Sequence, residues 1–371
     1  MRANNVLGLI YSNGYDACLN ELTALRTMGS VPFGGRYRLI DFVLSGMVNC
    51  GIPRIGIITK SNYNSLMDHV GNGRAWDLAR KRDGLFLLPP FNFHNSGTDN
   101  NRIRSLIGTR SWLAASGQEY VVISDCNVLG NIDYEKILAA HEEKGADITV
   151  CYARGKMPAL PELMAFDVSP EGCVEKITIS PKTDEKQNYS LNIFVLRKSL
   201  LERLLHEAES HNYTSFERDI LQQNSNHLEI YAYRPGEFCR TIDCLQTYYD
   251  VSMEILNPAY QRELFNPHRP VYTKVRDDVP VIYGLESAAK NALIADGCVI
   301  EGTVENCILF RGVRIGRGAV VKNAIIMQEA FIGDECCVNS VIIDKNVTIK
   351  PHKQLCGDMQ YPFYIGKGLV I

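Results

Sequence analysis

The sequence predicts an α/β domain built on a mixed sheet, followed by a C-terminal β-helix. Three observations carry this. Up to about residue 250, short apolar runs of strand length alternate with amphipathic stretches of helix length. From Asn291 onward, apolar residues recur at a beat of about six, with glycines clustered between them. Between the two textures lies a proline-bearing connector, residues 256–280. The expected division is 1–255 for the α/β domain, 256–290 for the connector and 291–371 for the β-helix.

The elements follow in order. Val6–Tyr11 reads as a short buried strand, and residues 54–59 as another, followed by an amphipathic stretch over 61–70. Residues 120–124 form a third strand, 134–144 a helix with Asp133 as N-cap, and 147–153 a further strand. Such alternation argues for a mostly parallel sheet. Ligands in such sheets lie beyond the carboxyl ends of the strands, here the loops after Tyr11 and after Ser124. In the C-terminal part the beat falls on Ile294, Ile300, Ile315, Val321, Met327, Ile332, Val338, Ile343 and Ile349. That spacing suits hexapeptide coils, each burying one face and therefore stacked on its neighbours. Alternation never settles into period two, which argues against an ordinary β-sandwich.

Bulk properties exclude some classes. With 371 residues, 46% hydrophobic and 22% charged residues and a net charge of −3, the composition is that of an ordinary globular protein with room for two domains. No basic excess points to nucleic acid. No apolar run reaches the ~18 residues that span a membrane, and the N-terminus lacks the pattern of a secretory signal. The 12 cysteines are scattered without a C-x-x-C pair, and Cys336-Cys337 is not a ligand spacing, so buried thiols in a cytoplasmic protein are expected and no metal site.

The segment Val31-Pro32-Phe33-Gly34-Gly35-Arg36-Tyr37-Arg38-Leu39-Ile40-Asp41-Phe42 closely resembles the V-P-F-G-G-x-Y-R-x-I-D-F signature of ADP-glucose pyrophosphorylases. That family makes ADP-glucose from ATP and glucose 1-phosphate. Residues 299–347 resemble the family's β-helix, so the likeness spans essentially the whole chain. It implies a Rossmann-like nucleotidyltransferase domain followed by a left-handed β-helix. The family's phosphate loop, G-G-x-G-[ST]-R-L with a lysine ahead of the signature, is altered. Its glycines fall on Asn13, Gly14 and Asp16, its arginine on Cys18 and its lysine on Met28. Nucleotidyl transfer builds negative charge on phosphate, and fixed cations and close backbone amides answer it. Here two cations are missing and Asp16 adds repulsion.

Other family positions are degenerate too. The S-G-D-H turn, whose aspartate helps to hold magnesium, is Ser124-Asp125-Cys126-Asn127, so the aspartate position is Cys126 and Asp125 sits one residue early. The sugar-phosphate clamp F-x-E-K-P becomes 177–181, with Ser180 in place of the lysine and Lys182 two residues on. In Ser215-Phe216-Glu217-Arg218-Asp219 the second aspartate is kept, and the metal-side aspartate of W-R-D-V-G-T is Thr241. The G-T-A turn is Gly108-Thr109-Arg110, where Arg110 replaces a small residue near the nucleotide. Gly14, Gly108 and Thr109 are what the resemblance leaves of a nucleotide or sugar pocket. Gly71-Asn72-Gly73-Arg74-Ala75-Trp76-Asp77-Leu78 matches a segment bordering the cleft and reads equally as a glycine turn. His69 is expected on a helix surface or in the core. Arg102 and Arg104 follow a polar run, residues 94–101, and are expected in a mobile loop.

The pattern resembles the D-type partner subunit found beside catalytic pyrophosphorylase subunits in some bacteria. It implies a non-catalytic, regulatory chain of glycogen biosynthesis that joins a catalytic glucose-1-phosphate adenylyltransferase subunit in a hetero-oligomer, a tetramer by analogy. Arg26, Arg36 and Arg38 are the expected binding groups for a sugar phosphate effector, in a region that in relatives contributes to an anionic effector site. No cofactor is required on this reading. Mg2+ enters only if activity survives. One alternative is an active enzyme using Asp125, Lys182 and Asp219 as substitutes. Another is a stand-alone sugar-nucleotide sensor. A β-helix acyltransferase would need a coil histidine, and only His352 lies there.

Overall fold

The computed structural model describes residues 2–89, 102–182, 185–236 and 238–371. The polar run 94–101 lies outside the described residues. Arg102 and Arg104, expected in a loop, belong instead to the helix Arg102–Gly108.

The N-terminal domain is organised by a nine-stranded sheet. Val6–Tyr11 lies parallel between Arg54–Ile58 and Tyr120–Asp125, with Leu9 opposite Gly56 on one side and Ile123 on the other. All six of its residues are buried, as a central strand covered on both faces requires. Gly84–Leu88 adds a fourth parallel strand. Beyond Tyr120–Asp125 the sheet changes sense. Gln187–Arg197 runs antiparallel to Tyr120–Asp125, Ile148–Gly155 and Met164–Val168, and Val174–Ile179 runs antiparallel to Met164–Val168. Parallel pairing is found among these four strands and again where Ile230–Tyr233 lies along Ile148–Gly155, so the sheet is mixed, as the fold class anticipates, rather than mostly parallel as the alternation alone suggested. The reason is connection length. Residues 169–173 join two strands by a turn, far short of the dozen or so residues that a parallel crossover needs.

Helices cover both faces. Leu39–Asn49 packs under the sheet, and at Gly46 a Cβ would lie 2.8 Å from the Tyr134 ring, so only glycine permits this approach to the helix Tyr134–Lys144. Asp133 caps that helix, accepting from the Lys136 amide at 3.3 Å. The connector adds the helix Pro258–Leu264 and then a strap whose Tyr272 amide donates to Ser45 Oγ at 2.9 Å. Among the described residues no helix is long and apolar enough to cross a membrane. All twelve cysteines are free thiols.

The C-terminal strands stack in parallel as a hexapeptide β-helix. Ile300, Ile315, Ile332 and Ile349 form one column, and Val304, Val321 and Val338 another. These and Ile343 fill the interior of the coil. Met327, placed in that interior by the six-residue beat, faces the other way. With Ile308, Phe310, Ile325 and Ile342 it joins the core of the N-terminal domain. The outward apolar face of the β-helix is thus one wall of a continuous interdomain core.

Candidate functional site

The loop after the first strand is closed on itself. Ser12 Oγ donates to the Ile58 carbonyl at 2.8 Å, and Asn13 Oδ1 accepts the Lys60 amide at 3.0 Å. Asn13 Nδ2 donates to one Asp16 oxygen at 2.6 Å, and the other accepts the Met28 amide at 2.7 Å. Burial raises the Asp16 pKa, and these two bonds oppose the rise. Asp16, expected as an uncompensated repulsive charge, is therefore a brace of the loop. Met28 is buried, and Cys18 is half-buried in the turn Asp16–Leu19 with its thiol pKa raised by burial. Neither offers a cation. Cys126 is buried beneath the loop, where a Cβ on Gly29 would sit 3.2 Å from its sulfur.

At the carboxyl end of Tyr120–Asp125 stands a buried ion triad. Arg102 Nη1 and Nη2 donate to the two oxygens of Asp125 at 3.0 and 2.7 Å, and its Nε lies 2.9 Å from Glu217 Oε1. The three side chains are only 10%, 1% and 7% exposed. The guanidinium carbon sits 4.8 Å from the centre of the Tyr11 ring, and the Tyr11 hydroxyl donates to the Arg102 carbonyl at 2.6 Å. Burial works against the charge on Arg102, but Asp125 and Glu217 outweigh it and hold the pKa above its ordinary value. Burial raises the Glu217 pKa, with Arg102 opposing. The triad backs a cleft of about 190 Å³ that Gly14, Tyr15, Lys60 and Glu162 also line. Gly14 is the one expected pocket residue found there. A Cβ on it would come within 3.8 Å of the Asp125 carboxylate.

The remaining expected residues lie elsewhere or have other work. Gly108 ends one helix, and the buried Thr109 donates its hydroxyl to the Leu106 carbonyl, so neither lines the cleft. Arg110 points away to Glu209, at 2.6 Å. Asp219 accepts the amides of Thr214 and Ser215 at 2.8 and 2.9 Å, so from within the widened helical turn Phe216–Gln222 it reaches back to secure the entry at the N-cap Ser215. Ser180 and Lys182 are exposed, and Ser180 carries a left-handed φ of 43°. Thr241 lies in the two-residue strand that pairs with Val128–Leu129. Of the substitutes imagined for an active enzyme, Asp125 is paired with Arg102, Asp219 with two backbone amides, and Lys182 is exposed.

A second cavity, about 340 Å³, opens between the two domains. Six cations line it: Arg36, Arg38, Lys274, Arg276, Arg311 and Lys345, against the carboxylates Asp68 and Glu329. Arg38 Nη1 donates to the Ser65 carbonyl at 2.6 Å, and burial lowers its pKa to about 10. Lys345 is pushed down to about 7, by burial first and then by repulsion from Arg38 and Arg26. Arg36 is half-exposed beside Asp296 at 3.5 Å. Arg26, expected among the effector residues, is not part of this lining. It is buried and chelated by both oxygens of Asp344, at 2.8 and 2.7 Å. His69 is a core histidine, 2.6 Å from Asp41.

Two family patterns match the chain. Nucleotidyl transferase covers residues 7–256, and GlmU-like, C-terminal hexapeptide covers residues 281–361. The chain belongs to the nucleotidyl transferase family. Among curated relatives it is 37% identical to glycogen biosynthesis protein GlgD of Bacillus subtilis (strain 168) and 40% identical to GlgD of Geobacillus stearothermophilus, over 99% of this chain and 97% of each relative. It is 31% identical to the glucose-1-phosphate adenylyltransferase of Thermotoga neapolitana, over 86% of this chain and 76% of that protein. Within the family it therefore groups with the GlgD proteins and their adenylyltransferase relatives.

Family membership implies a magnesium ion, and the residues present do not fit one. Both oxygens of Asp125 are engaged by Arg102, and among the described residues no group of three or more His, Cys, Asp or Glu is arranged to hold a metal. Sequence reasoning missed Arg102 as a cleft residue, along with Glu217 and Lys60. Lys60 was findable, since it follows a parallel strand at its carboxyl end. Arg102 was not, because its partners come from 23 and 115 positions away, and no local pattern announces a buried pair.

Proposed function

We propose that this chain is a non-catalytic, regulatory subunit of a glucose-1-phosphate adenylyltransferase complex in glycogen biosynthesis. The observation that carries this is the cleft. Its phosphate-facing cations are replaced by Cys18 and Met28, its loop is closed by Asn13 and Asp16, and Asp125 is neutralised by Arg102. The two cations that the resemblance sets on phosphate are gone, and the Arg102 guanidinium is committed to Asp125 and Glu217, so the cleft is poorly equipped to stabilise the charge that builds on phosphate in the transition state. The GlgD likeness supports the pathway, and the cationic interdomain cavity supports regulation by an anionic effector such as a sugar phosphate. The chain acts by assembling with a catalytic subunit and biasing that enzyme's effector response. Regulation of this kind requires the effector to favour one state of the assembly over another.

The test is pyrophosphate release from ATP and glucose 1-phosphate with magnesium, for this chain alone and mixed with a catalytic subunit. Alone it gives no turnover above background. Mixed, it co-purifies with the partner and shifts the effector concentration curve. Turnover near ~1 per second for the isolated chain, within the ordinary enzyme range, overturns the reading. Cys18→Arg with Met28→Lys does not restore activity, because Arg102 still occupies Asp125.

A further inference from the structure

We propose that Arg102 is a built-in cation that takes up the buried carboxylates Asp125 and Glu217, the two that could otherwise hold a divalent ion in this cleft, and that it thereby excludes metal-bound polyphosphates. Three observations carry this. The guanidinium engages both oxygens of Asp125 and one of Glu217, so a single +1 group satisfies two carboxylates from different elements. Those carboxylates are almost wholly buried, which makes their charge costly without a partner. Arg102 is held there from two further directions: Tyr11 fixes its carbonyl, and the Tyr11 ring faces its guanidinium.

The consequence is chemical. Arginine is always protonated and presents a planar fork that matches a carboxylate, so it competes with a metal at every accessible pH. Unlike a metal, it brings no open coordination positions for phosphate oxygens or water. Any ligand of this cleft is therefore bound without a metal. Removing the guanidinium leaves two carboxylates that had shared one cation, a donor set suited to a hard divalent ion. A metal-binding readout needs neither turnover nor a partner subunit, so its failure leaves the proposed function to its own test.

The experiment titrates Mn2+ into the full chain and follows the free ion by electron paramagnetic resonance. Wild type, Arg102→Ala and Arg102→Ala with Asp125→Asn are compared. Wild type takes up no ion that depends on Asp125. Arg102→Ala gains one site per chain, at least ~10-fold tighter than any weak surface uptake, and the double variant loses it. Thermal unfolding gives a second readout: Mn2+ raises the midpoint of Arg102→Ala and leaves wild type unmoved, because a ligand bound to the native state alone stabilises it. If Arg102→Ala is recovered unfolded, its refolding depends on Mn2+. Two results overturn the proposal. One is wild-type Mn2+ binding abolished by Asp125→Asn, which would mean that Arg102 swings aside. The other is an Arg102→Ala protein that neither binds Mn2+ nor is stabilised by it, whether recovered folded or not.

Discussion

Lys345 carries the most specific expectation at the scale of single residues. Burial and two neighbouring arginines hold its pKa near 7, so it is charged below that value and neutral above it. A phosphate monoester gains its second charge as pH rises through ~6. Binding of such an effector in the interdomain cavity is therefore strongest where both conditions hold, between those two values, and weakens on the alkaline side as Lys345 loses its proton. Calorimetric titration across pH should give a bell-shaped affinity profile, and Lys345→Met should remove the alkaline limb. The same shift acts on stability with a definite sign. Between about 7 and the unfolded value of 10.5, the unfolded chain binds a proton that the folded chain does not. Stability contributed at this residue therefore rises with pH across that window. Arg38→Ala should weaken effector affinity by about tenfold or more, as expected for a charge-assisted bond of ~1.5–3 kcal/mol. An effector curve unmoved by both Arg38→Ala and Lys345→Met would place the regulatory site elsewhere. Arg36 and Arg38, which line the cavity, were picked out in the sequence because they are local to the signature loop. Lys274, Arg276, Arg311 and Lys345 were not, because only the docking of the β-helix brings them there.

Among the secondary-structure elements, the asparagine ladder of the β-helix shows what the six-residue beat did and did not reveal. The beat located the coils and most of their inward residues, since a repeated apolar position has one physical meaning in a stacked coil. It misplaced Met327, because the outward face of these coils is also apolar where it meets the other domain. It was silent on the corners. Asn291, Asn306 and Asn323 adopt left-handed φ values of 47°, 52° and 48°. Their side chains chain together at 2.8 and 3.3 Å, and Asn323 reaches Asn339 at 3.0 Å. Asparagine tolerates this backbone better than most residues and bonds to its stacked neighbour as well. The Tyr249 hydroxyl adds a bond to the Asn323 carbonyl at 2.7 Å, tying the helix Leu245–Glu254 to the ladder. Asn323→Ala should cost about 1–3 kcal/mol, combining the left-handed strain with the lost hydrogen bonds. Asn323→Gly removes the strain but not the lost bonds, so it should cost less. Equal thermal midpoints for the two variants would mean that backbone strain contributes nothing at this corner.

For the whole molecule, the two domains share one core and one buried ion pair, so they respond as a unit. Arg26 comes from the segment just before the signature loop, and Asp344 from the β-helix, 318 positions away. Their side chains are 4% and 2% exposed, and the Tyr364 hydroxyl donates to the same carboxylate at 2.7 Å. The sequence offered Arg26 as an effector residue because it stands beside Arg36 and Arg38. Its real partner was invisible without the docked β-helix. A buried pair of this kind contributes little net stability against an apolar replacement, yet losing one member costs about 3–5 kcal/mol by stranding the other charge. Arg26→Ala should therefore lower the thermal midpoint sharply, toward the smaller end of that range because Tyr364 still serves Asp344. Arg26→Met combined with Asp344→Asn should recover much of the loss, since it removes both charges, keeps both side chains close to their original size and leaves an amide oxygen to accept from Tyr364. The pair separates structure from regulation. Arg26 neither lines the cavity nor offers its guanidinium to solvent, so the double variant should retain effector affinity within the change expected from relieving its repulsion of Lys345. If instead the double variant is as stable as wild type but has lost effector binding altogether, Arg26 contacts the effector after all, and the clamp opens when the cavity fills.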